Sequence, residues 1–356
     1  MEQEYTLIRM EVMKLPPVLE PLAGKTVVML AATLRPETMY GQTNCWILPH
    51  EKDGSEAWYG VYETHVANEV AIVGEQAARN MAFQGLTPAF GNASPPAIMM
   101  VKGRDLIGLP LKSPLTSLTP IYTLPLLTIS MRKGTGVVTS VPSDAPDDYM
   151  GLLDLKNKPA LREKYGVTDD MVLPFEIIPI IEIPYRLDSA AEGSEPMMTD
   201  IAAKIACDEY KVASQNDKDK LALAKAKTYK IGFYEGKMTV GDYTGLSVQE
   251  AKPKVRGMLF GSLICSTRSV QILMPSPPQC RPDEKRAMML QVKEWMLATG
   301  QAYAYAEPEK EVMSRSGNVC VVALTDQWYM KYGEAGWKAQ VRVLVSRERV
   351  RSTVLA

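Results

Sequence analysis

Short runs rich in β-branched, aromatic and other apolar residues alternate with turn formers over the first ~185 positions, and this pattern predicts strands. Tyr5 to Val12 is the first, with Thr6, Ile8, Met10 and Val12 on one face. Thr26 to Thr33, Cys45 to Leu48, Glu69 to Val73, Ala97 to Lys102, Ile121 to Ile129, Gly136 to Val141 and Ile177 to Ile183 follow. A series of this kind suits a barrel or a sandwich. Two helices interrupt it. Gly74 to Gln84 puts Ala77, Ala78 and Met81 on one stripe; Ala145 to Tyr165 is capped by Ser143 or Asp144 and bent or broken at Pro159.

Beyond Pro184 the period lengthens. Asp200 to Cys207 and Asp217 to Lys230 read as a helical hairpin. The second helix has an Asn216 or Asp217 cap, turns Leu221 and Ala224 to Ala226 inward, and meets its stop at Gly232. Residues 257–290 mix Pro, Ser, Cys and Met around Met274-Pro275-Ser276-Pro277-Pro278 without a period, which predicts an inserted loop. From Lys338 to Ala356 the chain carries basic residues against Glu348 alone, the pattern of a solvated helix face or an excised end, with a phosphate-binding arm as the alternative.

Composition narrows the chemistry. The 356 residues carry 40 Lys plus Arg against 41 Asp plus Glu, so no global basic field attracts nucleic acid, and a local patch or shaped pocket would have to do so. Apolar stretches such as Val27 to Ala32 fall far short of the ~18 residues of a membrane span, and Met1-Glu2-Gln3-Glu4 is acidic where a signal peptide is basic. A cytoplasmic protein with no membrane partner is expected. The cysteines, Cys45, Cys207, Cys265, Cys280 and Cys320, contain no C-x-x-C pair, which argues against a zinc finger or a disulfide framework. With His50 and His65 the only histidines, catalysis is expected to rest on carboxylates, hydroxyls and backbone dipoles, with no metal and no cofactor.

Two phosphate motifs fail on inspection. Gly24-Lys25-Thr26 ends like a P-loop, but its first glycine position is Leu19; Gly134-Thr135-Gly136 starts like a dinucleotide fingerprint, but its third glycine position is Thr139 and a strand follows. The cluster Ser143-Asp144-Ala145-Pro146-Asp147-Asp148-Tyr149 is stronger. Capping and the helix dipole account for three carboxylates at a helix start; the same dipole would also keep one ionised to hold a substrate ammonium. A sugar hydrolase would instead need a carboxyl of raised pKa, against the pull of the dipole.

The segment Thr33-Leu34-Arg35-Pro36-Glu37-Thr38-Met39-Tyr40-Gly41-Gln42-Thr43 decides between these readings. It resembles the threonine-rich signature of the editing domain of class I aminoacyl-tRNA synthetases, in particular the cytosolic, eukaryotic-type leucyl-tRNA synthetases. Gly134 to Asp144, Asp169 to Glu176, Gly232-Phe233-Tyr234-Glu235-Gly236 and Glu307-Pro308-Glu309-Lys310 carry the resemblance on, across most of residues 3 to 337. Asp188 to Pro196 and residues 257–290 depart from it.

The resemblance implies a mixed, β-rich fold, a compact closed β-barrel of about six strands decorated with helices. Residues 1–20 would be an entering strand from a catalytic domain, 21–312 the editing domain with a helical insertion at about 186–256 and an extra loop at about 257–290, and 313–356 the return segment. The family's synthetic site needs a His-Ile-Gly-His motif and a Lys-Met-Ser-Lys-Ser loop, and this chain has neither. The implied activity is therefore hydrolysis of the ester on mischarged leucine tRNA (isoleucyl, norvalyl or methionyl) without ligase activity. A catalytically inactive module that binds the aminoacyl end is the alternative.

Partners would be the 3′ end of leucine tRNA and the remaining synthetase domains. Asp148 would bind the α-ammonium, Thr38 would exclude the leucyl side chain, and Thr33 and Arg35 would line the ester and orient water. Asp144 and Asp147 stand where bacterial members have His and Arg, and would flank the substrate. Thr139 and Val141 would run along the amino-acid pocket, with Ser130, Lys133 and Thr135 against the adenosine.

Overall fold

A computed structural model describes residues 2–252 except 192, residue 254, and residues 302–323 except 316 and 318. The expected loop at 257–290 and the basic tail lie outside these residues. The first half contains β1 (Glu2–Val12), β2 (Thr26–Thr33), β3 (Asn44–Ile47), β4 (Trp58–Glu63), β5 (Glu69–Val73), α1 (Glu75–Phe83), β6 (Met99–Lys102), β7 (Pro110–Lys112), β8 (Ile121–Pro125) and β9 (Val137–Ser140). Then come α2 (Pro146–Asn157), α3 (Pro159–Tyr165), β10 (Ile181–Tyr185), β11 (Met197–Thr199), α4 (Ala202–Glu209), α5 (Lys218–Glu235), β12 (Lys237–Met238) and β13 (Ala302–Pro308).

Ten strands form one mixed sheet in the order β6-β4-β5-β2-β1-β7-β8-β3-β9, with β13 added to β1. The β2–β5 and β3–β8 pairs are parallel, and the other pairs of this sheet are antiparallel. The closed six-strand barrel is thus corrected. The sheet is larger and its end strands β6 and β9 have no ladder between them, although β9 packs against β2 as the sheet curls. Alternation in a sequence fixes which face a strand buries and says nothing of which strand it pairs with.

The alternation along β1 works on both faces. Ile8, Met10 and Val12 join Met29, Tyr59 and Ile72 in the main core, while Tyr5 and Leu7 join Val28, Leu30 and the α1 residues Ala77, Ala78 and Met81 in a second. Strand β4 escapes a period-two reading because Gly60 interrupts it; a Cβ there would lie 2.4 Å from the Tyr62 ring. Pro159 does split the second predicted helix, into α2 and α3. Its expected cap is absent: Ala145 holds the N-cap position without a side-chain bond, and Ser143 donates to Asp144 instead. Gly232 does not stop α5, which runs to Glu235; Gly232 is buried inside the helix, and Gly236 ends it. Among the described residues no helix is long and apolar enough to cross a membrane.

One buried ion pair binds the sheet laterally. Glu69, 3% exposed, accepts from Arg9 of β1, from the Thr64 hydroxyl at 3.0 Å and from the Tyr303 hydroxyl of β13 at 2.9 Å. Removing one partner of such a pair leaves a buried charge unsatisfied. Glu69→Ala is expected to lower stability by about 3–5 kcal/mol, read from the urea midpoint at unchanged slope. A shift below about 1 kcal/mol would show the pair to be dispensable.

Candidate active site

At its C-terminal end β2 delivers Thr33 and Arg35 to a 3-10 turn over Pro36–Gly41, with Pro36 at the first turn position where its missing N–H is harmless. Thr33 Oγ1 accepts from the Arg35 amide at 3.0 Å. Thr38 donates twice to the Arg35 carbonyl, from its amide at 3.0 Å and its hydroxyl at 2.7 Å. The hydroxyls of Thr33 and Thr38 therefore close the turn on itself. The Thr38 side chain is buried, with its hydroxyl proton committed to the Arg35 carbonyl.

A second segment runs from the end of β9 into α2. Asp148 is buried in the first turn of α2, where its Oδ1 accepts from Trp46 Nε1 at 2.9 Å and its Oδ2 from the Val141 amide at 2.8 Å. Asp144 takes the Ser143 hydroxyl at 2.6 Å on Oδ2 and turns Oδ1 to Arg35 Nη2 at 3.8 Å. Asp147 faces the other way, pairing with Lys225 of α5 at 2.9 Å. The Arg35–Asp144 contact thus joins the threonine-rich turn to the acidic helix start.

Two further groups surround Arg35. Glu37, fully buried, lies 3.6 Å from Arg35 Nε, and the Tyr229 ring of α5 has its centroid 4.6 Å from Arg35 Cζ. Burial works against the guanidinium charge, but Asp144, Tyr229 and Glu37 outweigh it and hold the pKa above its ordinary value. Burial also raises the carboxyls of Glu37 and Asp144, with Arg35 opposing in each case.

Not all expected residues converge here. Thr139 is buried in β9 opposite Cys45, and Val141 takes part through its amide on Asp148. Ser130 and Lys133 are exposed, Ser130 Oγ accepting from the Arg132 amide at 3.3 Å. The Thr135 hydroxyl donates to the Val137 carbonyl at 2.9 Å. Their loop is pinned elsewhere, by the Gly74 amide on the Thr135 carbonyl at 2.8 Å and the Gly134 amide on Glu307 Oε2 at 3.0 Å. Among the described residues no hydrogen bond or ion pair joins it to the Arg35–Asp144 group. Trp46, Glu37, Lys225 and Tyr229 belong to the site and were not singled out by sequence. The available signal was the spacing of Lys225, Tyr229 and Gly232, which puts all three on one helix stripe.

The chain is 49% identical over 337 residues to a protein of Arabidopsis thaliana named "Leucine--tRNA ligase, cytoplasmic", covering 94% of this chain and 26% of that protein. It spans about a quarter of the length of the curated relatives it matches. A solved structure, GlLeuRS-CP1, superposes with a TM-score of 0.60 at 38% identity, over 72% of this chain and 96% of that one. The cytosolic leucyl-tRNA synthetase editing domain of P. knowlesi shares the fold, with a TM-score of 0.61 at 24% identity over 85% of this chain and 96% of that one. No protein-family model matches.

The protonation of Asp148 corrects a further expectation. A helix start was expected to keep the carboxylate ionised; burial instead raises its pKa to about 7, against the opposing Val141 amide. A folded-state pKa above the unfolded one means that the native protein holds the proton more tightly. The associated stability is full below about pH 4 and is lost as the pH rises through about 7. Between pH 5 and pH 8, wild type should lose more stability than Asp148→Asn, which cannot titrate. Parallel urea midpoints for the two proteins across that range would contradict the buried assignment.

Proposed function

This chain belongs to the editing-domain (CP1) family of the leucyl-tRNA synthetases, and from that premise we propose that it hydrolyses the ester linking a wrong amino acid to leucine tRNA. The observation that carries the reading is the Arg35–Asp144 contact, which draws the threonine-rich turn and the acidic helix start into one site. Isoleucyl-, norvalyl- and methionyl-tRNA are the proposed substrates. Their side chains differ from leucine by a branch point, a methylene or a sulfur, and an apolar synthetic pocket discriminates one methylene by only about 1–3 kcal/mol, so a second sieve supplies the rest.

Each residue has a task in this reaction. Asp148 holds the α-ammonium of the aminoacyl group; an incoming cation favours the ionised carboxylate that burial disfavours. Arg35 and Thr33 line the ester, and Arg35 stabilises the oxyanion that forms when water attacks the carbonyl. Holding ester and water in place supplies rate enhancement without a protein nucleophile. Thr38 excludes leucine through its methyl. Asp144 keeps Arg35 in position, Asp147 holds Lys225, and Thr139 and Val141 run along the amino-acid pocket. Ser130, Lys133 and Thr135 form the adenosine side.

In the same reading residues 1–20 and 313–356 are the entering and returning segments, and 21–312 is the editing domain with its insertions at about 186–256 and 257–290. The rest of a synthetase and the 3′ end of its tRNA are the partners, and the cytoplasm, as in the relative's name, is the compartment. Neither metal nor cofactor takes part. The alternative is a non-hydrolytic module that captures the aminoacyl end. Its support is that both Asp148 oxygens already accept protein hydrogen bonds. Deacylation of mischarged tRNA by the purified chain separates the two.

Asp148→Ala should remove most hydrolysis, since losing a carboxylate–ammonium contact in a dry pocket costs about 2–5 kcal/mol, and Asp147→Ala should cost less. The reverse order would shift the assignment by one residue. Thr38→Ala should raise hydrolysis of leucyl-tRNA and leave isoleucyl-tRNA hydrolysis nearly unchanged, because a clash acts against one substrate only. Thr38→Val, which keeps the branched shape and loses the hydroxyl, should preserve the exclusion. An unchanged leucyl-tRNA lifetime in the alanine variant would remove the steric role.

A further inference from the structure

Helix α5 lays one stripe of side chains against the site. Lys225, Tyr229 and Gly232, four and then three residues apart, share a helix face. Lys225 pairs with Asp147 at 2.9 Å, the Tyr229 ring faces Arg35 at 4.6 Å, and a Cβ built on Gly232 would stand 3.6 Å from Arg35 Nη2. The ring also lies 5.5 Å from Lys225 Nζ, so Tyr229 stands between two cations.

Arg35 lacks the restraint that usually sets a guanidinium's plane. A bidentate carboxylate fork fixes that plane through two short parallel bonds. Here the carboxylates stand at 3.6 Å from Nε and 3.8 Å from Nη2, beyond hydrogen-bonding distance, and among the described residues neither Arg35 Nη2 nor either oxygen of Glu37 makes a geometrically good hydrogen bond. Asp144 and Glu37 supply charge without a fork. Among the described residues the ring stacked on the group is that of Tyr229, whose face attracts a cation, and the Tyr229 side chain also acts on Arg35 as a hydrogen-bond partner.

We propose that Tyr229 is a positioning residue: its ring face sets the plane in which Arg35 meets the reacting ester, so that α5 contributes to hydrolysis without touching the substrate carbonyl. The proposal rests on the editing reading above. The helix itself is anchored independently of Tyr229. Leu221 packs on Met150 and Cys207, Ala224 enters the main core, and Lys227 pairs with Glu209 at 2.8 Å.

The test is single-turnover and steady-state deacylation of isoleucyl-tRNA by the full chain, with circular dichroism and melting temperature recorded for every variant. Tyr229→Leu should lower kcat roughly tenfold and leave KM within about twofold, because the ring acts through a group that works in the transition state. Tyr229→Phe, which keeps the ring, should recover most of that loss. In an Arg35→Ala background Tyr229→Leu should add almost nothing, as expected of two residues acting as one unit. If Tyr229→Leu melts early, Tyr229→Gln replaces it in the same comparison.

Equal losses in the Phe and Leu variants would assign the effect to the hydroxyl and overturn the proposal, as would a full additional loss in the Arg35→Ala background. An active wild type with an unaffected Leu variant rejects this role for Tyr229 alone. A wild type that hydrolyses nothing rejects the editing reading and this proposal together.

Discussion

A buried carboxyl that must find donors organises the site. Asp148 lies where water cannot solvate it, and Trp46 Nε1 from β3 and the Val141 amide just past β9 supply the hydrogen bonds that make the position tolerable. Those bonds fix the first turn of α2 against two strands. Once that turn is fixed, its neighbours have no freedom: Asp144, four residues back, faces Arg35, and Asp147 faces Lys225 on α5. The acidic cluster is therefore a three-way junction, with each carboxyl assigned to a different element.

Charge balance follows from the same geometry. Among the described residues four carboxyls, of Glu37, Asp144, Asp147 and Asp148, stand with three cations, Arg35, Lys225 and Lys252, the last acting on Glu37. If all ionised, the group would still carry a net negative charge in a place where burial penalises charge. The raised pKa values of Glu37, Asp144 and Asp148 are the protein's answer, because protonation removes part of that excess. A bound ammonium would remove it by another route, which suits the site to a cationic ligand and makes an anionic one costly.

Much of the fold was legible where the signal was local. Thr26 to Thr33 and Glu69 to Val73 are strands within the bounds their short β-rich runs predict, and Pro159 breaks the helix it was expected to break. Non-local facts were not legible. The pairing that adds β13 to β1 joins residues some three hundred positions apart, and no periodicity encodes such a partner. Gly232 looked like a helix stop because glycine at that offset from a helical run ordinarily is one. It lies instead inside α5, where a Cβ would stand in van der Waals contact with Arg35 at 3.6 Å, and that neighbour appears only when α5 is seen beside the turn. Local rules fail most where a residue answers to a distant neighbour.

In the proposed function, selectivity and catalysis would be linked through the Arg35 backbone. A steric sieve discriminates only if its wall cannot yield, and a threonine whose hydroxyl is free can rotate its methyl away. The Thr38 hydroxyl is not free: at 2.7 Å it is bound to the Arg35 carbonyl, which also receives the Thr38 amide. The rotamer is therefore held by the same residue whose side chain is held by Asp144, Glu37 and Tyr229. In the proposed reaction a disturbance of Arg35 would pass through one residue to the Thr38 methyl, so the group assigned to hydrolysis and the group assigned to selection would be coupled.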